Sequence, residues 1–354
     1  MPVPQKITLD TRIVSLPCAM RETREGVILR RGRTTIEVGG GDAAAIVGAL
    51  LRLTSAEPVR LRDILEGFAE PERPAIKDFL QELLQRRLMV PATEMDAAMG
   101  AETPEGLFFW QFDLDSRAAG ARLADYRVDL VGINAVSLRL LPALVSLGVR
   151  PRQVIDHPLL RDPDLFDGAG RPLGLPADLE VRRSDRLSLV PATPDMVIVA
   201  AIGTAWSALR SMNEECVHHR VPLLPVLLQG MVGRVGPIVV PHETACLECA
   251  RARENSNLGD MAAVRRAEFE TDLAAQTEGY LRPMAGILGD VAAMELARFI
   301  LRIPKMRVGS QVEVNLLTSR MEPRPVLKVP RCRVCSSATG HATTAIKENI
   351  FLLD

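Results

Sequence analysis

Two pairs of cysteines constrain this 354-residue chain more than any other feature of its sequence. Cys246 and Cys249 form one Cys-x-x-Cys pair, and Cys332 and Cys335 form a second, with 83 positions from 249 to 332. Four thiolates at this spacing are typical of a structural zinc ion held tetrahedrally, without an open position for water. Such a site would tie two distant segments together. Two unrelated thiol pairs, or one pair acting as a redox couple, are the alternatives.

The composition indicates a globular protein of the cytoplasm. The formal net charge is -1, so no field of the whole molecule attracts nucleic acid or anionic lipid. No apolar run reaches the roughly 18 residues of a membrane span, and the N-terminus lacks the order of a signal peptide. We therefore expect reduced cysteines, with Cys18 and Cys216 as packing residues.

Residues 126–158 have the pattern of a nucleotide-binding βαβ unit, whose second strand ends in Asp156. Glycines serve such a unit because they adopt backbone angles closed to other residues and let amide groups approach phosphate. Gly132 is present, but Asn134 and Ser137 occupy the other two glycine positions. Asp156 stands where ribose hydroxyls would be bound. The alternative roles are a tight turn for Gly132 and a helix or turn cap for Asp156, and both are favoured over nucleotide binding. We therefore expect a degenerate nucleotide site and no ATP cofactor. We also expect Gly132→Ala to have little effect on activity.

Strands alternate with helices beyond this unit, which predicts an open, largely parallel, Rossmann-like sheet. The expected strands include VDLVGI, QVIDH and DMVIVAAIG, followed by late strands at VEVNLL and PVLKVP. Helices are expected at 206–218, at 260–274 and at GILGDVAAMELARFIL. We expect residues 158–186 to be irregular, because they are rich in Asp, Arg, Pro and Gly.

The front of the chain has a different pattern. Short β-branched strands between residues 10 and 38 precede three helices, the last of which is expected over 71–90. This pattern predicts a winged-helix-like α+β domain at residues 1–91. Residues 92–125 are expected to be a connector, and residues 126–354 the α/β domain.

The order of these features resembles the ThiF-like, ubiquitin-activating-enzyme-like fold. The resemblance rests on the βαβ unit, DMVIVAAIG, VPLLPVLLQGMVGRVGPIVVPHETACLECAR, GILGDVAAMELARFIL and CRVC. It is strongest to the leader-peptide-binding partners of YcaO cyclodehydratases in ribosomal peptide natural-product biosynthesis, and the front domain resembles their PqqD-like recognition element. The resemblance implies a precursor leader peptide and a YcaO enzyme as partners, a flavin dehydrogenase as a further candidate, and a homodimer.

Features of the adenylating members of this family are missing. Those members carry Asn-x-x-Arg-Gln after the second strand, whereas this chain has DHPLLRDPDLFDGAG with Arg161. They also carry a metal-binding Asp after the third strand, where Ile202, Gly203 and Thr204 stand here. Without that carboxylate, Mg²⁺ and the developing phosphate charge lose a partner.

A peptide-binding groove is the hypothesis for the front domain. A disordered leader would add a strand to the edge of the small sheet and place apolar side chains beside the third helix. The candidate residues alternate along RTTIEV or lie on the third helix: Thr34, Ile36, Val38, Lys77, Leu80, Gln81 and Leu84. The alternative is that the apolar members are core residues.

Three functions are compatible with these patterns. The first is a non-catalytic scaffold that binds a leader peptide and presents its precursor to a YcaO-type enzyme for azoline or azole formation. The second is an ATP-dependent enzyme that adenylates a peptide carboxylate. The third is a winged-helix DNA-binding regulator, which the acidic residues interleaved along the third helix disfavour.

Overall fold

The computed structural model describes residues 8–95, 103–112, 114–186, 188–189, 193–256, 279–303 and 308–336. The chain divides into two compact units, residues 1–119 and residues 120–354. The helix expected at 260–274 lies outside the described residues. Among those residues, no helix combines the length and the apolar character that crossing a bilayer requires.

The first unit contains two three-stranded antiparallel sheets and four helices among its described residues. Its elements are β1 (Arg12–Ser15), β2 (Ala19–Glu22), β3 (Gly26–Arg31), β4 (Thr34–Gly39), α1 (Ala43–Ser55), β5 (Val59–Arg60), α2 (Leu61–Glu66), α3 (Arg73–Gln85), β6 (Met89–Pro91) and α4 (Pro104–Trp110). The strand orders are β5–β1–β6 and β2–β3–β4. The strands and helices expected between residues 10 and 85 are present, and the winged-helix class of this unit remains a prediction.

The third helix is shorter than its apolar pattern suggests. It ends at Gln85, and Arg87 takes a left-handed φ of 57° that reverses the chain. The N–H of Leu88 then donates to the carbonyl of Leu83 at 2.8 Å, which is the pattern of a Schellman helix end. The apolar residues after Arg87 therefore form β6 rather than a last helical turn.

Residues expected to be a connector contribute to the core of the first unit. Trp110 of α4 is buried against Val14, Leu16 and Val90. The guanidinium of Arg87 lies 3.6 Å from the centre of the Trp110 ring, where a cation interacts favourably with the π-face. Helix α4 is therefore an integral part of this unit.

The second unit is built on one eight-stranded sheet. Its elements, with α5 at the boundary of the two units, are α5 (Ser116–Asp125), β7 (Val128–Val131), α6 (Ala135–Ser146), β8 (Pro151–Asp156), β9 (Glu180–Arg183), β10 (Met196–Ile202), α7 (Trp206–His218), β11 (Leu223–Gln229), β12 (Val232–Val235), α8 (Leu247–Ser256), α9 (Arg282–Leu301), β13 (Ser310–Asn315) and β14 (Arg320–Pro325). The strand order is β14–β13–β12–β11–β10–β7–β8–β9.

The five neighbouring strands β9, β8, β7, β10 and β11 pair in parallel. Strands β12, β13 and β14 each pair antiparallel with the strand before them. Every residue of β7 and β10 is buried, as expected for central strands covered on both faces. The order reverses between β7 and β10, and the carboxyl ends of strands at such a switch point form the usual ligand crevice. The predicted Rossmann-like α/β architecture is confirmed for this unit.

Two strand predictions need correction. The segment 158–186 contains β9, which extends the sheet through its parallel pairing with β8. The last strand is Arg320–Pro325 rather than PVLKVP, because a turn after β13 pairs Asn315 with Arg320 and Ser310 with Pro325. The register of β14 is thus set by its partner strand, which its own sequence does not reveal.

Close packing of α6 against α9 depends on a glycine. A Cβ atom at Gly289 would lie 2.8 Å from the backbone nitrogen of Leu140 and 3.1 Å from the carbonyl carbon of Arg139. Both neighbours are backbone atoms that cannot move aside independently. The two helices can therefore approach this closely only with glycine at position 289.

We predict that Gly289→Ala lowers the free energy of unfolding by about 1–3 kcal/mol, because overpacking forces the helices apart. Gly286→Ala is the matched control on the same helix, since its Cβ would meet Arg139 Cγ at an ordinary 3.7 Å. That control should be neutral or gain about 0.5–1 kcal/mol from better helix propensity. Thermal unfolding followed by circular dichroism measures both, and equal effects would contradict the packing argument.

Candidate functional site

The four paired cysteines form one buried cluster. Their sulfur atoms all lie within 4.8 Å of one another. The Cys246–Cys332 distance is 3.7 Å, the Cys246–Cys249 distance 3.9 Å and the Cys249–Cys335 distance 3.4 Å. A tetrahedral ion with metal–sulfur bonds of about 2.3 Å needs sulfur atoms about 3.8 Å apart. The donor set and its spacing therefore fit a single four-coordinate metal ion.

The cluster joins the start of α8 to the segment that follows β14. Cys246 precedes α8 and Cys249 lies in its first turn. The backbone N–H of Val329 donates to Cys249 Sγ at 3.3 Å, and Lys328 Nζ donates to the carbonyl of His242 at 2.6 Å. These bonds hold the two cysteine-bearing segments together beside the cluster.

The cysteines differ in their tendency to ionise. Hydrogen bonding from the thiol of Cys335 is the largest effect that lowers the pKa of Cys246, to about 5. The same contact raises the pKa of Cys335. Burial raises the pKa of Cys216, which packs in the same core cluster, and also that of Cys18. Protonated thiols at these last two positions fit the packing role expected for them.

The turn between β7 and α6 is closed tightly around Gly132. This residue has a φ of 99°, and a Cβ atom there would lie 2.4 Å from the carbonyl oxygen of Ala200 on β10. The turn therefore needs glycine here, and Gly132→Ala would strain the fold, an effect that the expectation of little change in activity did not include. The methyl group would push β7 and β10 apart at the switch point.

Asn134 fills the position that a phosphate-binding glycine would leave open. Its side-chain oxygen accepts hydrogen bonds from the N–H groups of Val136 and Ser137, at 3.1 and 3.3 Å. The N–H of Asn134 donates in turn to Ser137 Oγ at 2.9 Å, completing a capping box. Groups of the chain itself therefore satisfy the helix N–H donors that anions usually bind.

The side-chain nitrogen of Asn134, Nδ2, connects the turn to two other segments of the chain. It donates to the carbonyl oxygen of Ala200 at 2.9 Å and to that of Leu160 at 3.1 Å. Leu160 belongs to residues 157–162, which we call the covering segment. The N–H of Asp162 bonds to the carbonyl of Ile133 at 2.8 Å, so this segment lies directly over the β7–α6 turn.

Asp156 has a partner that the sequence analysis did not assign. Its carboxylate pairs with Arg161 of the covering segment through two hydrogen bonds, the Nε–Oδ1 bond being 2.9 Å and the other joining Nη2 to Oδ2. The Arg161 guanidinium also lies over the ring of Phe166, 4.3 Å from its centre. Asp156 is 3% exposed. The contact that the structure gives this carboxylate is therefore an ion pair with Arg161.

The end of β10 borders a small pocket that the sequence analysis did not predict. Thr204, Trp206, Gln229, Arg234, Arg251 and Glu254 line it together with apolar residues. The carboxylate of Glu254 is 3.8 Å from Arg234 Nε, and Arg234 also donates to Gln229 Oε1 at 2.8 Å. These residues come from the β10–α7 turn, the start of α7, β11, β12 and α8, so no local motif marks the pocket.

The peptide-binding candidates lie in the first unit and fall into three groups. Thr34, Ile36 and Val38 are half-buried on β4, whose alternate residues Thr35 and Glu37 are exposed. Lys77 and Gln81 are exposed on α3, and Leu84 is half-buried. Leu80 is fully buried in the core, so the core alternative describes it. Among the described strands, β4 forms one edge of the β2–β3–β4 sheet.

Solved structures with the same fold span almost the whole chain. E. coli MccB with MccA-N7isoASN matches with a TM-score of 0.60 and 14% identity, over 92% of this chain and 99% of MccB. E. coli MccB with ATP matches equally well, over 92% of this chain and 100% of MccB. A heterocyclase in complex with substrate and cofactor matches with a TM-score of 0.56 and 16% identity, over 92% of this chain and 39% of the heterocyclase. These identities show a shared fold.

No curated protein matches the sequence significantly. The family comparison matches residues 177–334, a range that begins just before β9 and includes three of the four clustered cysteines, Cys246, Cys249 and Cys332. The first cysteine pair, Cys332 and strands β13 and β14 between them therefore lie within the matched range. The matched model is that of the ThiF family.

Proposed function

We propose that this protein binds the leader of a ribosomal precursor peptide and presents the peptide to a YcaO-type cyclodehydratase for azoline or azole formation. One observation carries the proposal: Asn134 occupies the N-terminal amide groups of α6, where a nucleotide phosphate would bind in a Rossmann-type unit. The protein contributes by raising the effective concentration of the tethered precursor at the partner enzyme.

Nucleotide binding would require several interactions to break together. Asn134 would have to release the N–H groups of Val136 and Ser137, and Arg161 would have to release Asp156. The carbonyl groups of Leu160 and Ala200 would then lose their donor in a buried site. Each buried polar group left without a partner costs about 1–3 kcal/mol, so closure of this turn opposes ATP binding.

The adenylation alternative draws on the same fold, because MccB has been solved with ATP. For this chain, the end of β10 offers Ile202, Gly203 and Thr204 rather than a carboxylate. The nearest acid of the adjoining pocket, Glu254, faces Arg234, which offsets its charge. These features favour the scaffold over the adenylating enzyme.

The edge of β4 is the proposed leader-binding surface. Ile36 and Val38 of this strand pack at the border of the same core cluster as Phe79 and Leu84 of α3, leaving part of each apolar side chain accessible. An added peptide strand would bond to the unpaired backbone of β4 and cover this apolar border. MccB with MccA-N7isoASN and the heterocyclase with its substrate support peptide binding by this fold.

DNA binding has less support from α3. Its exposed surface mixes Lys77 with Asp78, and Arg86 is paired with Glu82 at 2.8 Å. A recognition helix instead needs an exposed basic face. We therefore do not propose a role in DNA binding.

The proposed resident metal is zinc, held by Cys246, Cys249, Cys332 and Cys335. Four thiolates without an open coordination position supply folding energy rather than catalysis. Assembly as a homodimer in the cytoplasm, with a YcaO enzyme and a flavin dehydrogenase as partners, completes the proposal and rests on family resemblance.

We predict that the protein does not bind ATP with Mg²⁺ at micromolar concentrations, because its own side chains occupy the phosphate site. Isothermal titration calorimetry measures this directly, with E. coli MccB in the same buffer as the positive control. A micromolar Kd for this chain would show that Asn134 does not block the phosphate site, and would favour the adenylating enzyme.

We predict that Cys249→Ser and Cys332→Ser each abolish stoichiometric zinc and destabilise the second unit. A structural zinc ion contributes about 10 kcal/mol or more of folding free energy, so partial loss of its ligands should be severe. Elemental analysis and thermal unfolding provide the measurements, and Cys18→Ser in the first unit is the control. Normal zinc content and stability in either ligand variant would rule out the four-thiolate site.

We predict that Ile36→Thr weakens leader-peptide binding about tenfold, the equivalent of about 1.4 kcal/mol, because it removes apolar contact area at the β4 edge. Glu37→Thr is the matched control, since it places the same residue on the opposite face of the same strand. Fluorescence anisotropy with labelled leader peptides, made from precursor genes adjacent to this gene, measures both affinities. Equal affinities would argue against the β4 surface.

A further inference from the structure

A buried amide beside the cysteine cluster has no role in the functions described so far. Asn213 lies in the middle of α7 and is 0% exposed. Its side-chain oxygen accepts the backbone N–H of Leu247 at 3.1 Å, next to Cys246 in the sequence. Its nitrogen, Nδ2, has no hydrogen-bond partner among the described atoms. Leaving such a donor unpaired costs about 1–3 kcal/mol, so the position calls for an acceptor.

The cluster supplies an acceptor of the right kind. The bond from the N–H of Leu247 holds the Asn213 amide one residue from Cys246, and Cys246 is buried in the same core cluster as Met212 and Cys216 of α7. On the other side of the cluster, the N–H of Val329 already donates to Cys249 Sγ at 3.3 Å. Metal binding converts the thiols into thiolates, which are stronger acceptors than thiols.

We propose that Asn213 is a positioning residue of the metal centre, donating from Nδ2 to the metal-bound sulfur of Cys246 while its oxygen holds the first turn of α8. This inference rests on the proposed zinc site. It gives each cysteine of the first pair one N–H donor, from Asn213 for Cys246 and from Val329 for Cys249. It also couples α7 to metal occupancy, because the same side chain contacts both.

Variants of Asn213 test this role through metal affinity. Asn213→Leu has a similar size and lacks the donor, so zinc binding should weaken by about 10- to 100-fold, as for other groups that orient metal ligands. Cys216→Ala is the matched control on the same helix and in the same core cluster, and its affinity should stay within about threefold of wild type. Competition with a chromophoric chelator measures both affinities. An unchanged affinity for a folded Asn213→Leu protein would overturn the inference.

The unmodified protein provides a second test that does not depend on the folding of a variant. In protein loaded with ¹¹³Cd²⁺, the side-chain amide protons of Asn213 should show scalar coupling to the metal across the N–H···S bond. The backbone N–H of Val329 is the internal positive reference. Coupling at Val329 without coupling at Asn213 would overturn the role of Asn213 alone. A wild-type protein that binds neither Zn²⁺ nor Cd²⁺ would overturn the metal site itself.

Discussion

The hydrogen bonds of Asn134 determine what the Rossmann-type unit of this protein can bind. Two of them end at the N–H groups of Val136 and Ser137, and two connect the turn to Leu160 and Ala200. All four lie in a buried site, so each is needed to avoid an unsatisfied polar group. The Asn134 side chain thus bonds to the N-terminus of α6 and also connects the β7–α6 turn to β10 and to the covering segment. The loss of an anion site and the stability of the turn have the same cause.

Much of this arrangement could be predicted from the sequence, and what could not be predicted depends on long-range contacts. The departure from three glycines at Gly132, Asn134 and Ser137 indicated a degenerate nucleotide site, and the two Cys-x-x-Cys pairs indicated one cluster. The bonds from Asn134 reach residues 26 and 66 positions away, however, and no local pattern encodes contacts of that range. The Arg161 partner of Asp156 was visible in the sequence as a nearby arginine, but its orientation depends on the path of the covering segment.

The first unit shows a different limit. Helical periodicity identified the apolar face of α3, yet periodicity does not tell how deeply a residue on that face is buried. Leu80 and Leu84 are one turn apart, and one is fully buried whereas the other is half-exposed to the surface. Helix α3 packs against α2 and β6, and such tertiary neighbours set this depth. Trp110 was likewise assigned to a connector, because a single aromatic residue in a short helix gives no sign of the core that receives it.

The cysteine cluster is part of the main core of the second unit. Its sulfur atoms pack with Val197 and Val199 of β10 and with Met212 of α7 in one hydrophobic cluster. Removal of a metal from such a site would affect the packing of the central sheet as well as the segment after β14. The burial of all four thiols also explains why a redox couple is the weaker alternative, since exchange requires access of another thiol to sulfur.

The recognition surface proposed for this protein is the edge of a sheet rather than the end of a helix. A Rossmann-type site binds its ligand with the free N–H groups of a helix terminus, and here Asn134 and Ser137 have bonded them. A sheet edge carries free backbone groups too, but edges are normally protected. Edge strand β14 is protected by Pro323, Pro325 and paired charges, and β2 is exposed on both faces. Strand β4 combines a free edge with an apolar border, and a peptide strand satisfies both at once.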